Sequence, residues 1–411
     1  MITRRSVTLL SLAALTSACV PSGGGAPRGP SGETPPPRPV PNAGWDAWVQ
    51  GYKARAAGRG ISQGLIDTAF RGAGFLPDVI EKDRNQTEFK RSTEDYLNIA
   101  ASDERVSLGR QKYAAYGSTL NALQSRYGVD AQIIAAVWGL ESFFGTRRGN
   151  VPVISALSTL AYEGRRGAFF EGQLTAALRI LQRGDTTADR MVGSWAGAMG
   201  HTQFIPTSYL EFAVDYTGDG RADIWAEDPS DALASTAAYL SRSGWAAGVP
   251  WGMEVVLPSS LAPGLLGRGK GKSAAEWQGL GVRSASGRGL APGSIIAPGG
   301  IGGPAFLLTQ NFNVILRYNN AENYALGVGH LSDRLAGAGP LKASFGPDAT
   351  GLTKADRQEL QRLLTARGFD TGGSDGVIGA KSKTAIEGFQ ASRGLAVTGV
   401  PSVELLRMLR G

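Results

Sequence analysis

Apolar positions recur at helical spacing over most of the chain, and residues 130–145 carry them most densely. Ala131, Ile133, Ile134, Ala135, Ala136, Val137, Trp138, Leu140, Phe143 and Phe144 go round every side of a helix, so this stretch predicts a core helix without a solvent face. Asp130 is its expected N-cap and Gly145 its expected C′ residue. Between residues 45 and 130 helical patterns alternate with Gly and Asp breaks, and residues 89–96 lead into a helix that sets Tyr96 among charged neighbours. Over residues 253–308 the texture changes. Gly, Pro and Ser separate short β-like runs at 254–257, 294–297 and 305–308, which predict a small β insertion in a helical body. Helical spacing resumes over 311–320 and continues from Tyr324 to Leu335. A Gly/Ala/Pro linker then leads to a second compact unit at 352–411, with helices expected at 355–367, 380–393 and 402–409. The fold class expected is mainly α, of α+β type.

The N-terminal residues do not belong to this fold. Arg4 and Arg5 form a basic start, residues 7–15 are apolar but too short to span a bilayer, and residues 15–19 look like a bacterial lipobox ending at Cys19. Cys19 is the only cysteine, so no intramolecular disulfide can form and a lipid-modified N-terminus after an 18-residue signal is expected. A chance cysteine in an ordinary secretory signal is the alternative, and the Arg pair also permits twin-arginine export. Residues 20–42 hold eight prolines with Gly and Ser, which suits a tether. With 42 basic and 35 acidic residues the net charge is +7, or +5 without Arg4 and Arg5. Lys/Arg runs of the kind that bind nucleic acid are missing, so no nucleic-acid partner is expected. The mild positive charge suits an anionic polymer such as cell wall; solubility alone also accounts for it.

Candidate chemistry centres on Glu141, the only ionisable side chain in the apolar helix. It sits near the C-terminal end, where the helix dipole disfavours negative charge. Two readings are open: a structural ion pair with an arginine, or a general acid whose pKa is raised by desolvation. Arg165 and Arg166, flanked by glycines, invite an acidic partner or a sugar, or form a solvated turn. Around Trp195 small residues permit close backbone approach, and Ser194, Gln203 and Tyr209 offer neutral groups of the kind that read sugar hydroxyls. His201 and His330 are the only histidines, so no zinc site can be assembled. Asp215, Thr217, Asp219 and Gly220 occupy positions 1, 3, 5 and 6 of an EF-hand-like loop, with Arg221 at 7 and Asp223 at 9. Ala226 stands at position 12, so a bidentate ligand must come from Asp231 or Asp228; the alternative is an aspartate-rich turn bonded to itself.

Residues 137–145, Val-Trp-Gly-Leu-Glu-Ser-Phe-Phe-Gly, resemble the catalytic-glutamate motif of the lytic murein transglycosylase B family. Residues 194–200 together with Gln203-Phe204-Ile205-Pro206 are similar to its second signature, the Asp215 loop to its calcium site, and Arg317-Tyr318-Asn319 with Tyr324 to its closing motif. Leu360-Gln361, residues 375–379 and Phe389-Gln390 are similar to a three-helix peptidoglycan-binding module, whose usual second repeat is degraded at 398–402. The resemblance implies a lysozyme-like catalytic domain over 43–335, with the β insertion at about 253–309, a linker at 336–351 and a wall-binding domain at 352–411. It implies Glu141 as acid then base in cleaving the MurNAc–GlcNAc bond to 1,6-anhydro-MurNAc ends. Tyr96, Arg165, Arg166, Ser194, Gln203, Tyr239, Tyr318, Asn319 and Tyr324 would line the glycan cleft. A structural Ca2+ would be held by Asp215, Thr217, Asp219, Arg221 and Asp231, with no organic cofactor. The partners implied are peptidoglycan glycan strands and, through Cys19, a membrane; the protein would be a monomeric periplasmic lipoprotein, anchored in the outer membrane of a Gram-negative bacterium. Two alternatives stay open. A hydrolytic muramidase would need a second carboxylate, for which Glu163 is the nearby candidate, and a non-catalytic wall-binding scaffold would not need Glu141.

Overall fold

The computed structural model describes residues 35–85 and 91–411; Cys19, the signal and Phe89 lie outside the described residues. In chain order the first elements are α1 (Ala43–Gly58), α2 (Gln63–Phe70), α3 (Pro77–Arg84), α4 (Thr93–Ala100), α5 (Asp103–Ala115), α6 (Gly117–Tyr127) and α7 (Ala131–Ser142). There follow β1 (Val151–Pro152), α8 (Val153–Glu163), α9 (Gly167–Arg183), β2 (Val192–Gly193), α10 (Pro206–Phe212) and α11 (Ser230–Arg242). The insertion holds β3 (Gly252–Val256), α12 (Ala274–Gly279), β4 (Arg283–Ser284), β5 (Ser294–Ile296) and β6 (Ala305–Leu308). The chain ends with α13 (Gln310–Tyr318), α14 (Glu322–Leu335), α15 (Lys354–Ala366), α16 (Ala380–Ser392) and α17 (Val403–Arg410).

Contacts gather these elements into two bodies. One comprises the described residues up to 91, Ala100–Val249 and Gln310–Ala338; the other comprises Ser92–Ile99, Pro250–Thr309 and Gly339–Gly411. In the first body α7 is the central element, packed by α14, α6, α5 and α11. All but one of its residues are buried, as its all-round apolar pattern requires. Each large aliphatic or aromatic side chain so buried contributes about 1.5–3 kcal/mol, which offsets the lack of an N-cap hydrogen bond from Asp130. The expected capping by Asp130 is thus not formed; the Ala131 N–H donates instead to Oε1 of Gln124, at 2.8 Å. Nor does α7 reach Gly145. It stops at Ser142, and Phe143 and Phe144 both adopt left-handed backbone, with φ of 51° and 56°. The reason is packing: the Phe144 ring lodges against Gly109 of α5 and Gly139 of α7, where a Cβ would stand 2.5 and 2.6 Å from it.

In the second body the insertion is an antiparallel sheet of order β4-β3-β6-β5, over a core of Met253, Val255, Trp277, Ile295 and Leu307. β4 was not expected, because its two residues offer no alternation to read. Helices α15 to α17 pack Leu352, Leu360, Leu364, Ile386, Phe389 and Leu406 into a core of their own, as expected for the C-terminal unit. Within this body Arg357, 3 % exposed, pairs with Glu94 of α4 and, at 2.7 Å, with Asp348. Glu254 of β3 accepts from the Lys342 and Ala343 N–H groups, at 2.9 and 2.8 Å, so part of the expected linker is pinned to the sheet.

Candidate active site

Glu141 occupies the last turn of α7 and is 6 % exposed. The hydroxyl of Tyr324, on the first turn of α14, donates to its Oε1 at 2.6 Å. Burial, with the Glu141 charge nearby, pushes the Tyr318 phenol well above its ordinary value, and its hydroxyl donates to the Thr202 carbonyl at 2.6 Å. The Tyr239 ring stands 4.8 Å from that of Tyr318, and Phe204 touches both. Tyr239 donates to the Arg317 carbonyl, and burial pushes it up to about 12. Asn319, at the end of α13, is also buried. The consecutive helices α13 and α14, distant in sequence from α7, thus bring its carboxyl group into an aromatic, hydroxyl-bearing wall.

A polar scaffold braces this site from behind. The 194–204 loop turns on Ser194, whose hydroxyl accepts from the Ala196 and Ala198 N–H groups at 3.3 and 3.1 Å. Gln203 takes left-handed backbone, φ 53°, and its amide nitrogen donates to the Arg148 and Gly200 carbonyls, each at 2.9 Å. Its amide nitrogen is therefore spent on backbone. Tyr209, expected to read sugar hydroxyls, instead donates to the Ala222 carbonyl. His201 accepts from the Trp138 indole N–H at Nδ1, 3.1 Å, and donates from Nε2 to the Ala226 carbonyl, 2.7 Å. These partners fix the neutral tautomer, and burial pushes the imidazole down to about 4.

Arg165 and Arg166 meet an acid that the sequence did not single out. Both pair with Asp83 of α3, 3 % exposed. The acidic partner they invited is therefore Asp83, a buried carboxylate that needs their charge, while Arg165 itself stays exposed in its turn. Glu163 is taken by Arg84, at 2.8 Å, and by the Arg165 N–H, at 3.0 Å. The Arg84 bond foremost holds its carboxyl below the usual range.

Transglycosylase SLT domain sequences match residues 44–333, which is more than half of the chain. It belongs to that family. Residues 353–409 match the peptidoglycan-binding domain family. Membrane-bound lytic murein transglycosylase B of Escherichia coli K12 is 32 % identical over 245 residues, 59 % of this chain and 66 % of that protein's length. SltB3 of Pseudomonas aeruginosa, solved in complex with NAG-NAM-pentapeptide, is 45 % identical with a TM-score of 0.72, and the match covers 90 % of this chain and all of that one. The Escherichia coli lytic transglycosylase Slt35, solved in complex with calcium, is 27 % identical with a TM-score of 0.60 over 70 % of this chain and 92 % of that one. The family is that of the lytic murein transglycosylases, lyases acting on peptidoglycan, and its lysozyme-like helical fold is the one described above.

Tyr96 lies buried on α4, in the second body. The Asp215 loop closes mostly on its own N–H groups. Asp215 accepts from Gly218, Asp219 and Gly220, Asp219 accepts from the Arg221 N–H, and Asp231 accepts from Tyr216, Thr217 and Asp223. Among the described residues no three acidic, His or Cys side chains form a metal-holding group. Asp223 pairs with Arg190, and Asp228 bonds Ser230. Conversely, Asp83, Arg148 and His201 belong to the site's framework although the sequence reading gave them no role. Among the described residues no helix is long and apolar enough to cross a membrane.

Proposed function

We propose that Glu141 performs both proton transfers of this transglycosylase. As an acid it protonates the oxygen joining N-acetylmuramic acid to N-acetylglucosamine, and that C1–O bond breaks. As the resulting carboxylate it accepts the proton of the muramic C6 hydroxyl, whose oxygen bonds to C1 and closes a 1,6-anhydro ring. The Tyr324 bond to Oε1 carries the reading: a protonated Glu141 that accepts there bears its proton on Oε2, so the donor atom has one address. The oxocarbenium-like charge between the steps forms beside this carboxylate. A hydrolase would need a second carboxylate to act on water or on C1, and Glu163 is committed to Arg84 and the Arg165 N–H. The internal C6 hydroxyl needs no such partner, because its effective concentration at C1 is very high. SltB3 has also been solved with NAG-anhNAM-pentapeptide, an anhydro species of the kind this route yields.

The rest of the reading follows the same lines. Tyr96, Arg165, Arg166, Ser194, Gln203, Tyr239, Tyr318, Asn319 and Tyr324 line the glycan cleft, and residues 352–411 hold the wall. Residues 1–18 are a signal, Cys19 carries lipid, and the protein works from the periplasmic face of an outer membrane. A calcium ion would find hard oxygen donors in Asp215, Thr217, Asp219, the Arg221 carbonyl and Asp231. Burial and then its own loop contacts govern Asp231, and the Asp215 charge helps raise its pKa, a strain that a cation would relieve. Its contribution would be to hold the loop in shape. Digestion of sacculi in heavy-oxygen water tests the mechanism: the muramic product should be one water lighter than a reducing end and unlabelled. A reducing-end muramic acid carrying heavy oxygen would establish a muramidase instead.

A further inference from the structure

We propose that His201 positions Glu141 by gripping α7 at two points, the indole of Trp138 and the hydroxyl of Ser142. The inference rests on the reading of Glu141 as the proton donor. Trp138 precedes Glu141 by three residues, so the two side chains leave neighbouring parts of one helical turn, and Ser142 follows it directly. The Trp138 N–H donates to His201 Nδ1, while Ser142 donates to the His201 carbonyl and accepts from the Gly145 N–H at 2.9 Å. Glu141 therefore sits between two attachments to a single residue.

The end of α7 needs such support, because two left-handed residues follow Ser142 and no further helical turn holds it. His201 can supply it because its ring is itself fixed. Nε2 donates to the Ala226 carbonyl, a group that Arg148 also reaches while it bonds the Trp225 carbonyl at 2.9 Å and Glu227. Gly145, at φ 85°, lies so close that a Cβ there would stand 2.5 Å from Nδ1. The leverage is large. A carboxylate about 5–6 Å from the helix axis moves about 1 Å when the helix rolls by about 10°. A misplacement of about 1 Å can cost on the order of 100-fold in rate.

The key test compares His201→Leu with His201→Asn. Leu removes the acceptor facing Trp138; the Asn Oδ1 stands where Nδ1 was and keeps it. On short soluble glycans His201→Leu should lose about 10- to 100-fold in kcat with KM within about twofold of wild type, and His201→Asn should recover to within about threefold. Equal losses in the two variants, or a loss confined to KM, would overturn the proposal. Should His201→Leu not fold, Trp138→Phe removes the same N–H while keeping an aromatic ring, and undiminished kcat in it would overturn the proposal as well. Glu141→Gln separates the two layers: an active Glu141→Gln enzyme overturns the proton-donor reading itself, whereas an inactive one beside fully active His201→Leu overturns only the role of His201.

Discussion

At the scale of single residues, the site depends on what each buried polar atom has for a partner. Tyr324→Phe deletes one hydroxyl and leaves Oε1 of Glu141 without that donor. Misplacing the acid should lower kcat by roughly 10- to 100-fold, and losing a buried hydrogen bond worth about 0.5–1.5 kcal/mol should also lower the melting temperature by a few degrees. Steady-state kinetics beside a thermal melt checks this; an unchanged kcat would show that the bond does not orient the acid. The two histidines give a stability prediction. Burial pushes both His201 and His330 down to about 4 from an ordinary value of 6.5. Between those values the unfolded chain binds more protons than the folded one, so stability is full above about pH 6.5, falls as pH is lowered, and levels off near 4. Each depressed histidine is worth on the order of 3 kcal/mol across that window. The melting temperature should therefore drop between pH 7 and pH 4.5, and His330→Gln should flatten the drop. A variant that falls as steeply as wild type would show that His330 takes no part.

At the scale of elements, helix ends and one loop place the chemistry. α7 delivers Glu141 because it is buried on every side, α14 delivers Tyr324 on its first turn, and the Phe143–Phe144 reversal stops α7 where the scaffold around His201 begins. The loop from Asp215 to Asp223 holds itself together through carboxylate-to-backbone bonds. If it binds calcium only when folded, the ion should raise the melting temperature by mass action, and Asp215→Ala should abolish the gain. Adding EDTA to metal-loaded protein and finding the same melt would dismiss the ion.

At the scale of the whole molecule, a catalytic body and a wall-binding unit share one chain, which converts wall affinity into local enzyme concentration. Removing residues 352–411 should weaken retention on insoluble sacculi more than it slows cleavage of short soluble glycans. Equal losses on the two substrates would mean that the unit completes the cleft. The second body gives a reason to measure both: Arg357 in α15 neutralises Glu94 on α4, the helix that carries Tyr96, and its removal strands a buried carboxylate.

The sequence by itself determined the helix around Glu141, the short strands of the insertion, the three helices of the C-terminal unit and the two signatures that mark the family. All of these are local: periodicity, turn residues and contiguous motifs are written within a few tens of residues. Its errors were local too. Asp130 does not cap α7, and α7 ends three residues before Gly145, because the Phe144 ring finds two glycines on packed helices that no linear pattern pairs. Only the tertiary structure decided that Arg165 and Arg166 face Asp83, more than 80 residues away, that Tyr324 bonds Glu141 across 183 residues, and that His201 stands beneath Trp138. Burial is what makes those pairings matter. A carboxylate, imidazole or guanidinium taken from water must find its partner in the fold, and the partner can come from any element that the packing brings near.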